Sequence, residues 1–380
     1  MQAWGQLVLP AMNDAELLQH LSLTMIPQVG DIQIGILLKH FGSAASVLSA
    51  SAKALEEVPG IGTVRAASIR NCHVQQRVEA EWRFIQKNHI KVLVKGNQGY
   101  PSKLEHCMDA PHVLYYKGSS DLLNKRVVSV VGTRSPSQYG KDRVVELMAV
   151  LGQYNVMVVS GLAYGIDTVA HKEALNNTLE TIGVLGHGHD QLYPHANKAL
   201  AADMLQQGGL LSEFMQGIQP EKQNFPKRNR IVAGMADAVV VVESGSKGGS
   251  LITADIANSY NKDVLAYPGR ATDPSSKGCN QLISNHKANL ITCGQDLLEF
   301  MNWAEDQHQS SKVQHAMKAS LSDEENVILS IISHHDPCPI DLLTNLSGLN
   351  PGLVSAHVLS LEMAGLITSL PGKLYGFCQP

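Results

Sequence analysis

Four short stretches concentrate the residue types that hold anions. Val131-Gly132-Thr133-Arg134-Ser135 closes a valine-rich run with a glycine, then offers hydroxyls and a guanidinium at a predicted helix entry. Backbone N–H groups, hydroxyls and an arginine together form a phosphate-sized anion site. Val159-Ser160-Gly161-Leu162-Ala163-Tyr164-Gly165-Ile166-Asp167 has two glycines that permit a sharp strand-to-helix turn and close approach of a ligand. Asp167 and His171, four residues apart, share a helical face. They can be read as a catalytic pair, or as a structural pair tying helix to loop, which is the favoured reading. Gln223-Asn224-Phe225-Pro226-Lys227-Arg228-Asn229-Arg230 is the most basic short run and includes one of only six phenylalanines. Cations neutralise phosphates, and an aromatic ring offers a platform for an unpaired base. The apolar Ile231-Val232-Ala233 that follows places this run at a helix start near a sheet edge. The fourth stretch, Glu243 through Ser244-Gly245-Ser246-Lys247-Gly248-Gly249-Ser250-Leu251, is a Gly/Ser loop between a strand and a helix. It is a second candidate nest of backbone donors, with Lys247 as a point charge.

Several chemistries are disfavoured. Neither G-x-G-x-x-G nor G-x-x-x-x-G-K-[ST] occurs, so no nucleotide cofactor is expected. Cys72, Cys107, Cys279, Cys293, Cys338 and Cys378 are scattered without a C-x-x-C pair, which argues against zinc and a disulfide framework. A reducing, cytoplasmic setting follows as the simple expectation. His187 with His189 and His334 with His335 lack evident partner ligands, so no metal is expected. The start lacks a basic region and carries Asp14 and Glu16, which predicts no secretory signal, and no apolar run is long enough for a membrane span.

The elements that must position these stretches fall into three regions. Residues 1–80 read as a helical domain with two similar turns, Ile26-Pro27-Gln28-Val29-Gly30 and Val58-Pro59-Gly60-Ile61-Gly62. They resemble helix-hairpin-helix elements, but only Arg65 and Arg70 supply charge nearby, which favours a packing module with tight turns. Residues 81–302 alternate strands and helices. The strand candidates are Ile90–Val94, Arg126–Val131, Asn155–Ser160, Thr181–Leu185, Gly209–Ser212, Ala236–Val242 and Asp263–Ala266. That alternation implies an α/β fold, an extended Rossmann-like parallel sheet whose ligands gather at the strands' carboxyl ends. Residues 303–320 are polar and read as a linker. Residues 321–380 fit a winged helix, with helices Glu324–Ser333, Ile340–Ser347 and Pro351–Gly365 and a hairpin at Leu366–Phe377.

The net charge of −4 speaks against nucleic acid, but its distribution matters more. In residues 320–380, Asp323, Glu324, Glu325, Asp336, Asp341 and Glu362 face a lone Lys373, so the acidity belongs to the tail. The third helix there has no Arg or Lys, so it is a poor candidate for entering a DNA groove and reads as a protein-interaction or self-association module.

Taken in order, the four stretches resemble the DprA/Smf (DNA processing) family. Supporting matches include Tyr100-Pro101, Leu114 to Gly118, Tyr193-Pro194, Ser212-Glu213, Pro268-Gly269 and Gly278-Cys279-Asn280. The resemblance runs from about Tyr100 to Ile283, with weaker likeness in the flanking helical and winged-helix regions. Gly248-Gly249-Ser250-Leu251 and Lys287-Ala288 depart from the usual family pattern, Ser-Gly-Ser-Leu and Gly-Ala. The resemblance implies an extended Rossmann fold that binds single-stranded DNA, usually as a homodimer. It implies loading of RecA onto incoming DNA during natural transformation and displacement of single-strand-binding protein, without catalysis. Carried over by motif, the positions expected around the strand are Arg134, Ser160, Gly161, Phe225, Lys227, Arg228, Asn229, Arg230, Lys247, Gly249 and Ser250. The competing reading is a Rossmann-like nucleotide hydrolase or phosphoribohydrolase, with Glu243 as its carboxylate. The Phe225–Arg230 run suits a polymer backbone better than one nucleotide.

Overall fold

A computed structural model describes residues 12–123, 125–304, 322–335, 337–363, 366–370 and 373–377. Most of the expected linker and the Pro371-Gly372 turn lie outside the described residues. The chain forms two compact units, Met1–Leu297 and Leu298–Pro380.

The first unit is built on nine strands, β1 (Lys91–Val94), β2 (Val113–Gly118), β3 (Arg126–Gly132), β4 (Val156–Ser160), β5 (Thr181–Leu185), β6 (Gly208–Ser212), β7 (Ala238–Val242), β8 (Asp263–Ala266) and β9 (Asn289–Leu290). Their order is β1-β2-β6-β5-β4-β3-β7-β8-β9. The seven strands from β6 to β9 run parallel, as expected of continuous apolar runs covered on both faces. Residues 156–160, 181–185 and 238–242 are buried without interruption. The sheet also carries two antiparallel strands, with β2 on β6 and β1 on β2. Alternate β-strand residues Val127, Val131, Val159, Ile182, Val239 and Val241 join one core.

The strand order reverses at β3. From β3 the chain winds outward through β4, β5 and β6, then returns to lay β7 on the other side of β3. The return passes through the helix Asn224–Met235, which carries the basic run. Ser129 Oγ on β3 donates to the Val232 carbonyl of that helix at 2.7 Å. The crevice outside such a reversal is where open α/β sheets hold ligands.

Among the described residues six helices precede β1, beginning with Asp14–Thr24, whose Asn13 and Glu16 form a capping box. The two similar turns lie side by side, because Arg65 donates to the Gly60 carbonyl at 2.7 Å and to the Gln28 carbonyl at 3.1 Å. Arg70 donates to the Ala50 carbonyl at 3.3 Å. Both arginines therefore serve the module's own turns. Leu21, Val78 and Ile85 of the helices pack with Val94 of β1 and Val113 and Tyr115 of β2. Among the described residues, no helix is long and apolar enough to cross a membrane.

The second unit has helices Asp323–His334, Ile340–Ser347 and Pro351–Met363 and a small antiparallel sheet in which Leu374–Phe377 pairs with both Cys338–Pro339 and Ile367–Leu370. Asn350 Oδ1 accepts from Leu353 N at 2.9 Å, which caps the helix that Pro351 opens. This arrangement is a winged helix.

Candidate nucleic-acid interface

The carboxyl ends of β3, β4 and β7 meet at a cavity of about 730 Å³. Three helices of eleven or twelve residues begin beside it, at Ile166, Asn224 and Gly249, and none has a side-chain cap. The Ile166, Asn224 and Leu251 N–H groups donate to the Thr133, Glu221 and Gly248 carbonyls, and the helix dipoles with the other first-turn N–H groups give the cavity positive character before any side chain is counted. Arg134 and Lys222 add exposed cations to the wall, while Arg228 lies buried in the floor.

Two glycines make the floor possible. A Cβ on Gly161 would sit 1.5 Å from Arg228 Nη1, so only glycine lets the guanidinium lie under the β4 turn. Gly165 has φ +84, and a Cβ there would meet the Thr133 carbonyl at 2.3 Å. Arg228 Nη1 donates to the Val184 carbonyl at 3.1 Å, and its Nε has no protein partner. Burial pulls its pKa down to about 10, opposed by the charge of Asp167, so it stays cationic at neutral pH. Burial also holds the Asp167 carboxyl above the usual range, while Arg228 and the Ala163 N–H (3.2 Å) favour its charged form.

Phe225 is half-buried on the cavity wall. Arg134 Cζ lies 5.6 Å and Arg228 Cζ 6.0 Å from its ring centroid. Tyr193, also in the lining, stands 6.0 Å from Phe225, and Tyr164 stands 6.5 Å from Tyr193.

Of the residues expected around a strand, the cavity brings together Arg134, Gly161, Phe225, Arg228, Asn229, Gly249 and Ser250. Four lie elsewhere. Ser160 is fully buried and donates to the Val130 carbonyl at 2.6 Å. Lys227 is exposed on the same helix but outside the lining. Lys247 lines a separate groove of about 400 Å³ beside Leu251 and Lys287. Arg230 points the other way and pairs with Glu213 and with Asp31 at 3.1 Å, tying the basic helix to the N-terminal helices. Ser250 Oγ donates to Ser244 Oγ at 2.9 Å. Sequence reasoning missed Lys222 and Tyr193 as wall residues. Lys222 directly precedes the basic run and was within reach of the charge pattern. Tyr193 arrives from a distant loop and left no local signal of its place.

The carboxylates of the catalytic alternatives are engaged, and His171 is sealed in the core with its Nε2 unpartnered. Glu243 Oε1 accepts from Ser137 Oγ at 2.6 Å and Oε2 from Ser137 N at 2.8 Å, which holds the carboxylate on the helix Gln138–Leu151 and away from the cavity lining. Asp167 and His171 do not meet. His171 is fully buried with Nδ1 2.6 Å from Thr181 Oγ1, and burial lowers its pKa to about 3. His187 accepts from Tyr193 N through Nε2 at 3.1 Å, with Nδ1 2.9 Å from the Gly188 carbonyl. Among the described residues, no group of three His, Cys, Asp or Glu side chains is arranged to hold a metal.

Comparison with known proteins agrees with this architecture. The family model for DNA recombination-mediator protein A matches residues 91–302, and that for the DprA winged helix domain matches residues 314–373. Protein Smf of Synechocystis sp. is 31% identical, over 96% of this chain and 99% of that one. DNA processing protein DprA of Streptococcus pneumoniae is 45% identical, over 52% of this chain and 70% of that one. The X-ray structure of the Streptococcus pneumoniae protein superposes with a TM-score of 0.62 at 34% identity, covering 76% of this chain and 98% of that one. A structure of the Helicobacter pylori DNA processing protein A, described for its single-stranded DNA binding mode, gives a TM-score of 0.51 at 29% identity, covering 57% of this chain and 98% of that one.

Proposed function

This chain belongs to the DprA/Smf family of DNA recombination mediators, and on that premise we propose that it binds single-stranded DNA in the cavity at the carboxyl ends of β3, β4 and β7. The observation that carries the reading is the joining of Arg134, Lys222 and three uncapped helix N-termini with the ring of Phe225 in one open-sided cleft. Phosphates lie against the cations and N–H groups, and a base lies on the phenyl face. The cleft has no glycine-rich dinucleotide motif. The chain acts by binding, without catalysis: Glu243, the carboxylate a hydrolase would need, spends both oxygens on Ser137. The single-strand binding described for the Helicobacter pylori relative supports the same ligand here.

The finer role follows the family. The bound strand is handed to RecA during natural transformation, single-strand-binding protein is displaced, and the chain works as a homodimer in the cytoplasm. The acidic winged helix, whose third helix carries no cation, serves protein contacts rather than duplex DNA.

The test is a titration of fluorescent oligo-dT with the purified chain, run beside Arg134→Ala and a nucleotide-release assay. Tight binding weakened by the substitution supports the reading. Failure to bind oligo-dT, or nucleotide turnover abolished by Glu243→Gln, overturns it.

A further inference from the structure

The wall of the cavity continues beyond Phe225 as a row of three rings, Phe225, Tyr193 and Tyr164. Tyr193 is 39% and Tyr164 46% exposed, so both rings are open to a ligand. We propose that Tyr193 and Tyr164 are two further base-stacking positions, so that the row takes successive unstacked bases of a single strand and rejects stacked duplex. The proposal rests on the single-strand reading above.

Geometry supports both halves of this statement. The ring centroids are 6.0 and 6.5 Å apart, and successive rings are inclined at 48° and 77°. Along one strand of a duplex, nucleotides follow every ~3.4 Å with their bases parallel. A strand that lays one base on each ring must therefore separate and turn its bases, which only an unpaired strand can do.

The backbone that carries the rings is held in advance of any ligand. Tyr164 sits between Leu162 and Gly165, both with positive φ. Its loop is pinned where Ala163 N donates to Asp167 and Thr168 Oγ1 donates to the Ala163 carbonyl at 2.7 Å. Tyr193 is fixed by its N–H donating to His187. Asn197, almost wholly buried, joins the two loops. Its Nδ2 donates to the Leu162 carbonyl and to Thr168 Oγ1, each at 2.9 Å, and its N–H donates to the Pro194 carbonyl at 3.0 Å. Loops already fixed lose little backbone freedom when a base arrives.

The experiment compares the full chain with Tyr164→Ala, Tyr193→Ala, and the Phe variants of both, on two ligands: oligo-dT and an abasic strand with the same phosphates. Stacking predicts that each alanine variant binds oligo-dT about 5- to 150-fold more weakly, keeps its affinity for the abasic strand, and is rescued by Phe. Equal losses on both strands, or none on either, overturn the ring row while leaving the cavity as the binding site. Wild-type chain that binds neither ligand overturns the single-strand reading itself and the row with it. Unchanged thermal unfolding of the Phe variants confirms that the fold tolerates the substitutions.

Discussion

The cations singled out in the sequence offer a sharp test, because the structure divides them into those on the cavity wall and those paired within the fold. Arg134 is exposed on the cavity wall with the Phe225 ring beside it. Arg230, two residues past Arg228, has a side chain only 12% exposed and pairs with Glu213 and Asp31. Binding to single strands falls with salt at a slope near −0.7 for each phosphate neutralised. Arg134→Ala should therefore reduce the slope of log K against log salt by about 0.7. Between 50 and 200 mM salt, that difference changes the wild-type-to-variant affinity ratio by roughly threefold, within reach of fluorescence anisotropy. Arg230→Ala should leave the slope unchanged. It should instead destabilise the fold by about 3–5 kcal/mol, because Glu213 is left buried without its partner. Urea denaturation of the variant measures that loss. A slope lowered by Arg230→Ala, with stability intact, would refute the assignment of Arg230 to the fold.

Other substitutions test the remaining parts. Phe225→Ala should weaken oligo-dT binding by about 1–3 kcal/mol, read from the same titration. Gly161→Ala places a methyl group against the Arg228 guanidinium and should cost about 1–3 kcal/mol in urea denaturation, with weaker strand binding. Buried His171 and His112 each have a pKa lowered to about 3, chiefly by burial. A depressed folded pKa means that their stabilising contribution is whole above the unfolded value near 6.5 and falls as pH drops from there toward about 3. Between pH 7 and pH 5 each neutral ring should lose about 2 kcal/mol, and His171→Gln should remove that share of the pH dependence. Asp167 and Glu213, held above the usual carboxyl range by burial, act in the opposite sense, so the His171 difference is more informative than the total. Removing residues 305–380 should leave oligo-dT affinity unchanged, checked by anisotropy on the shortened chain.

Much of the site was legible because its positions are local. Valine runs mark β3 and β7, and the apolar residues after Arg230 place the basic run at a helix start, as found. Strand ends and Gly/Ser loops then give the cavity's edge. What local pattern could not show was direction and partnership. Arg228 and Arg230 look alike in sequence, yet Arg230 meets Asp31 across 199 residues of chain. Ser160 reads as an available hydroxyl until β3 is laid beside it and the Val130 carbonyl accepts its hydrogen bond. Strand β2, Val-Leu-Tyr-Tyr-Lys-Gly, shows no clear strand pattern of its own, because its polar end hides how its tyrosines bury against β6. Strand β9 has two residues, too few for any periodicity.

The most direct measurement is photocrosslinking of the full chain to oligo-dT carrying 5-iododeoxyuridine, followed by mass spectrometry of the joined peptide. The cavity predicts crosslinks on the segments of Phe225 and Arg134, lost when duplex replaces the single strand. Crosslinks confined to the N-terminal hairpin turns or the winged helix would contradict it.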